Sequence, residues 1–201
     1  MPPPIIPPPK SNPAPARAEG NVPAALRELA VQPAVYTPYD PYLGSVHSVI
    51  EGLSGRSATM MNACSLMKAA HAFKYLATEP YRAALPAATE ARGAGDCKAK
   101  ALWIYDRLGD GTALYVIGKL MAGAKNSHAW VYWRNDGRWW ILDPTNRAEP
   151  IAAESVSSSR YVPYYSFGKA GSFRHKATRI FMAQETPAVT VVASRETKNG
   201  R

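Results

Sequence analysis

The 201-residue chain reads as an α+β protein, with N-terminal helices packed on an antiparallel sheet. Two observations predict this class. Helical spacing and helix punctuation dominate from residue 57 to residue 109. Runs rich in β-branched and aromatic residues dominate from 112 to 143, with an Asp-Gly turn among them. Helices first and strands second is the α+β order, not the alternation of a parallel-sheet protein.

The elements follow in chain order. "MPPPIIPPPKSNPAPA" opens the chain and reads as an extended polyproline arm, so residues 1–20 are expected to be a disordered tail. Such an arm is either a solvated extension or a ligand for a proline-recognising domain. "VPAALRELAV" is a short helix candidate, and "PAVYTPYDPYLGS" is broken by prolines into irregular chain. Residues 57–77 read as one long helix with Ser57 as its cap, and Met60, Cys64, Met67 and Ala70 or His71 on one face. "PAATEAR" is a further helical turn ended by "GAG". "DCKAKALWIYDRLG" is a helix capped by Asp96, stopped by Gly109, with an apolar stripe at Ala101, Leu102 and Tyr105. "TALYVIGKLMA", "HAWVYWR", "RWWILD" and "ATRIFMA" read as strands. One domain is expected over 21–184, followed by a disordered tail over 185–201. No internal repeat is apparent.

Composition limits the function classes. The formal charge is +9, and it is not a property of the ends: the first twenty residues hold only Lys10, Arg17 and Glu19 as charges. A basic cluster, "GKAGSFRHKATR" at 168–179, reads either as an acidic-partner site or as a solvated loop and strand face. It carries no nucleic-acid motif, so no nucleic-acid partner is expected. No apolar run reaches the length of a membrane span and no secretory signal opens the chain, so no membrane partner and a cytoplasmic location are expected. Two cysteines cannot make a disulfide framework. No histidine and cysteine pair has metal-ligand spacing, and no phosphate loop or dinucleotide fingerprint occurs, so neither metal nor cofactor is expected.

Chemistry concentrates at "GAGDCK". Cys97 falls in the first turn of a helix, where unpaired N–H groups and the helix dipole favour thiolate. Gly93 and Gly95 allow a sharp turn and close approach of a substrate. The stretch fits a nucleophile, and it equally fits a small buried cysteine at a helix start. His128 opens an aromatic strand, and "NDGR" marks a hairpin turn after it. If Asp136-Gly137 forms a two-residue type I′ loop, Asp143 lies opposite Trp130, on the same side as His128 and within about 7–8 Å of it. A carboxylate there fixes the tautomer of the ring and leaves its other nitrogen free for a proton. A three-residue loop would put the two side chains on opposite faces. Cys97, His128 and Asp143 then stand as nucleophile, base and orienter.

With these residues in view, "GAGDCKAKALWIYDRLG", "SHAWVYW" and "WWILDPTN" resemble the signature blocks of the transglutaminase-like superfamily. "ATEARGAGDCKAKAL" is also similar to the bacterial transglutaminase-like cysteine proteinases. The resemblance spans about residues 57–146. It implies a papain-like fold, Cys97 as nucleophile, His128 as base and Asp143 as orienter. Lys98 and Lys100 depart from the acidic residues that often follow the cysteine in bacterial members. They would favour an acidic substrate or help hold the thiolate. A second oxyanion donor is expected from the upstream helix region, with Asn62, His71 and Tyr75 chemically capable. The implied activity is acyl transfer on a peptide or amide bond of a protein or peptide substrate, hydrolysis first. The alternatives are glutamine cross-linking and a non-catalytic binding module that keeps the fold. Oligomeric state is not legible.

The remaining candidates have plainer readings. Cys64 reads as core packing, His71 as core-facing rather than lining the cleft, and His47 and His175 as surface residues. Trp130, Trp133, Trp139 and Trp140 alternate across the two faces of the hairpin, some in the core and some available to wall a groove. "RYVPYYSFG" resembles the aromatic segment that trails the aspartate strand in the superfamily, where it could line the same cleft.

Overall fold

The computed structural model describes residue 26, residues 29–78 and residues 81–176. The proline-rich arm, most of the first helix candidate, the strand expected at 177–183 and the C-terminal tail lie outside these residues. Two short 3-10 helices lie at Asp40–Tyr42 and Ala153–Ser155. Four α-helices and nine strands are described besides. They are α1 (Gly44–Gly52), α2 (Met60–Ala72), α3 (Pro86–Arg92), α4 (Cys97–Leu108), β1 (Val31–Pro33), β2 (Lys74–Tyr75), β3 (Ala94–Gly95), β4 (Leu114–Met121), β5 (His128–Asn135), β6 (Arg138–Leu142), β7 (Ile151–Ala152), β8 (Arg160–Gly168) and β9 (Gly171–His175). Seven strands form one antiparallel sheet in the order β1-β9-β8-β4-β5-β6-β7. The helices pack on one face of it, as the α+β reading expects. Among the described residues no helix is long and apolar enough to cross a membrane.

Helix α4 is the centre of the molecule. Ala99 through Tyr105 and Leu108 are all buried, so its apolar surface is wider than the stripe read from sequence. Val46, Val49, Met67, Leu102, Tyr105, Val131, Trp133 and Phe167 share that core. Asp96 caps the helix by accepting from the Ala99 N–H at 3.1 Å, and Gly109 ends it at φ 62. Asp110, next in the chain, accepts from Ala58 N, Trp133 Nε1 and Thr112 N, tying the loop before α2 and strand β5 to the helix end.

Two helix assignments differ from sequence. Helix α2 starts at Met60, not 57. Thr59 is its cap, its hydroxyl accepting from Asn62 N at 3.2 Å. It ends at Ala72, because Lys74 and Tyr75 pair in parallel with Ala94 and Gly95 and the backbone must be extended there. Helix α1 lies in "GSVHSVIEG", which sequence had not marked. Its two buried valines pack onto the helical core and outweigh its glycines and β-branched residues. His47 on it is exposed.

The small β2–β3 pair links the end of α2 to the start of α4 and so sets where Cys97 emerges. Gly93 takes φ 57 as the cap of α3. Gly95 has a packing role that sequence did not show. A Cβ there would lie 2.9 Å from Ala99 Cβ and 3.2 Å from Thr89 Cγ2, so its missing side chain serves helix packing.

The other sheet face carries a second core of Leu114, Val116, Trp130, Tyr132, Trp139, Ile141, Tyr161 and Phe173. His175 belongs with it and is not a surface residue. It is 1% exposed, its Nε2 lies 2.9 Å from Ser166 Oγ, and its ring is 6.2 Å from Tyr132. Strand alternation turns Phe173 and His175 inward and leaves Lys176 exposed, so the basic run is split between two environments. Burial lowers the His175 pKa from 6.5 to about 4, against a smaller opposing hydrogen bond at Leu29. The unfolded chain therefore binds this proton first as pH falls. The stability due to neutral His175 is complete above pH 6.5 and is lost between 6.5 and about 4. About 3 kcal/mol is at stake. Urea midpoints at pH 7 and pH 4.5 should show the loss, and His175→Gln should flatten it.

Candidate active site

The Asp136-Gly137 turn decides the site. Both residues have positive φ, 49 and 76, as a type I′ loop requires. Asn135 pairs with Arg138, Trp133 with Trp140 and Val131 with Leu142. Continuing this register puts Asp143 opposite Trp130, on the His128 side. The three-residue alternative does not occur.

The two side chains meet. His128 Nε2 donates to Asp143 Oδ2 at 2.9 Å, with the histidine side chain 10% exposed and the aspartate fully buried. Cys97 is close enough to act electrostatically on the ring, raising its pKa together with Asp143. Cys97 is half-buried and opens α4. The imidazole stacks near Trp130, with centroids 6.1 Å apart. The structure thus brings together all three candidate residues from α4, β5 and the end of β6.

Asp143 has further donors. Thr145 N reaches Oδ1 at 3.1 Å, while Asn146 Nδ2 reaches Oδ2 at 2.7 Å and Tyr161 OH reaches it at 3.0 Å. Burial pushes the Asp143 pKa up, but the bonds and charge from His128, Asn146 and Tyr161 outweigh it and hold the carboxyl below its usual range. For His128, burial opposes the charged ring. Asp143 and Cys97 overcome it and raise the pKa to about 9. Both partners thus favour the charged form of the ring.

The three oxyanion candidates separate. Asn62 sits at the opposite end of α2 from β2, about 15 Å along the helix by its rise. His71 Nδ1 lies 2.9 Å from the Pro144 carbonyl oxygen. It is exposed and holds the turn after Asp143, so it is not the core residue expected. Tyr75 lies in β2, paired with Gly95, within electrostatic reach of Cys97. Burial, then Cys97 and Asp96, raise its pKa, and the residue is 62% exposed.

Neither lysine after Cys97 points freely outward. Lys98 pairs with Asp96. Lys100 is 3% exposed and donates to the Phe73 carbonyl. Cys64 is half-buried beside the Ala63, Met67 and Ala70 face rather than in it. Trp130, Trp133 and Trp139 are buried and Trp140 partly so, which makes them core residues. Among the described residues no cluster of three metal-ligating side chains exists. Tyr161, in the "RYVPYYSFG" segment, had no assigned role. An aromatic strand after the aspartate was the only signal for it.

Replacing Asp143 with asparagine removes the charge that lifts His128. The His128 midpoint, read from its ring-proton NMR titration, should fall below about 9, with Cys97 still raising it.

No protein-family profile matches the chain, and no curated protein matches it. Among solved structures, Legionella pneumophila LapG is similar to it at 14% identity and TM-score 0.47, over 75% of this chain and 88% of that one. Its calcium-bound form gives the same identity and TM-score, over 75% and 92%. A candidate cysteine protease from Cytophaga hutchinsonii is similar at 18% identity and TM-score 0.37, over 76% of this chain and 54% of that one.

Proposed function

We propose that this chain is a transglutaminase-like cysteine hydrolase of peptide or amide bonds, acting on a protein or peptide. The observation that carries the reading is His128 held by Asp143 through Nε2 at 2.9 Å while Cys97, at the start of α4, acts electrostatically on the same ring. A structural histidine needs no cysteine within reach.

The chemistry follows from the contacts. Cys97 Sγ attacks the substrate carbonyl carbon, and a C–S bond forms as the carbonyl oxygen takes the negative charge. The Cys97 backbone N–H and the Tyr75 phenol are the donors for that oxyanion. The raised pKa of Tyr75 keeps its proton in place for the task. The C–N bond then breaks, and the His128 imidazolium gives its proton to the leaving amine. The neutral ring next takes a proton from water, whose oxygen attacks the thioester. Acid leaves, Cys97 is restored as thiolate and His128 as imidazolium. Asp143 stays ionised throughout and holds the ring. Water is the default acceptor, which favours hydrolysis over transfer to an amine.

Iodoacetamide kinetics with mass mapping test the reading. Cys97 should alkylate faster than Cys64 or a free thiol, and His128→Ala should slow it at least about tenfold. A Cys97 no faster than a free thiol and indifferent to His128→Ala indicates a binding module instead. Incubation with a labelled primary amine and a glutamine peptide separates the acceptors. Amine incorporation without cleavage replaces hydrolysis by cross-linking.

A further inference from the structure

We propose that Tyr161 is a positioning residue for this chemistry, clamping the Asp143 carboxylate from outside its own turn. The proposal rests on the acyl-transfer reading for its purpose, though the clamp itself is separately measurable.

Asp143 is reached by donors of two kinds. Thr145 N and Asn146 Nδ2 come from the turn that carries the aspartate, so they move with it. They shape the turn but cannot fix it against the sheet. Besides His128 itself, two contacts from elsewhere do. His71 on α2 holds the Pro144 carbonyl, and Tyr161 on β8 holds Oδ2 itself at 3.0 Å. Of these two, Tyr161 is the one on the oxygen that receives His128 Nε2 and Asn146 Nδ2. An ionised carboxylate can only accept, so the phenol's proton points to Asp143, and the positive charge of Arg147 acts on the phenol from nearby.

The backbone is bent to achieve this. Tyr161 has φ 49, a left-handed conformation that bulky residues seldom adopt. Its ring packs edge-on against Trp130 at 5.5 Å, but core filling alone does not call for a strained backbone. The opposing strand accommodates the bend. The β4–β8 register shifts between Ile117 and Gly118. A Cβ on Gly118 would lie 2.1 Å from the Val162 carbonyl oxygen and 2.7 Å from the Trp130 ring. Gly118 is also the β4 partner of His128. The same glycine therefore lets β8 close in and sits beside the histidine served by the clamp.

The ionisable groups around Asp143 are His128 from β5, Lys100 from α4, and Tyr161 from β8 with Arg147 behind it. Tyr161→Phe keeps the ring and removes one donor. Asp143 should then titrate about one pH unit higher in carboxyl ¹³C NMR, and the acid side of the Cys97 iodoacetamide profile should move up with it. Arg147→Gln should shift both in the same direction by less. Superimposable wild-type and Tyr161→Phe titrations would overturn the clamp and leave Tyr161 as core filling. The NMR midpoint needs no reaction at Cys97. An alkylation rate indifferent to His128→Ala thus sinks the acyl-transfer reading, while a shifted Asp143 midpoint still supports the clamp.

Discussion

Two residues in the left-handed region, Asp136 and Gly137, set the register on which the site depends. A two-residue turn leaves no spare residue, so each position on β5 has a fixed partner on β6. Aspartate and glycine both tolerate positive φ, so the turn forms without a bulge. The register sends Trp133 and Trp140 to the helical core and Trp130 and Trp139 to the other one. It also carries His128 and Asp143 to the same side at the end of the sheet. A slip of one residue would bury the wrong tryptophans and separate the two polar groups. Packing and chemistry are thus held by one constraint.

Cys97 arrives by a different route. Helix α4 is buried almost all round, which fixes its position, and its N-terminus is tied down by a cap and a two-residue strand. Asp96 does more than cap. Besides Ala99 N, its carboxylate accepts from the Thr78 hydroxyl at 2.6 Å, drawing the segment after Tyr75 against the helix start. The β2–β3 pairing and this bond together hold Tyr75 near the start of α4. A rigid helix end facing a rigid sheet end gives the precision that a loop-borne site would lack.

Local rules were legible in the sequence, and contacts between distant segments were not. Asp96, Gly93 and Gly109 punctuate their helices as their residue types require, and the Asp-Gly turn gave the register that placed His128 against Asp143. Helix α1 was hidden because valine, isoleucine and glycine are weak helix formers. Only its packing reveals it. The end of α2 was overrun because "FKYLA" looks helical by itself, while the partner that extends it lies some twenty residues on. His175 sits among basic residues, and only strand alternation shows that it faces inward. Gly95 and Gly118 resemble any other glycine until the atoms that would meet their Cβ are known. Tyr161 depends on a backbone angle that no spacing rule encodes.

The two lysines after Cys97 have a common explanation in charge. A thiolate at a helix start gains from the dipole, but the carboxylates that build this site work against it. Asp96 is held ionised by its hydrogen bonds, and it adjoins the cysteine in sequence. Lys98 lies against it and, with Thr78 and Ala99, offsets its burial and keeps it below the usual carboxylate range. Asp143 must be ionised to hold His128. Lys100 lies three residues from Cys97, hence on the same helix face, and its ammonium is within electrostatic reach of Asp143. Burial lowers the pKa of Lys100, and Asp143 works in the opposite direction to keep its charge. Each lysine therefore counters one carboxylate that the architecture cannot omit. Acidic residues at 98 and 100, placed on the same backbone, would add to the negative charge around the sulfur instead of offsetting it.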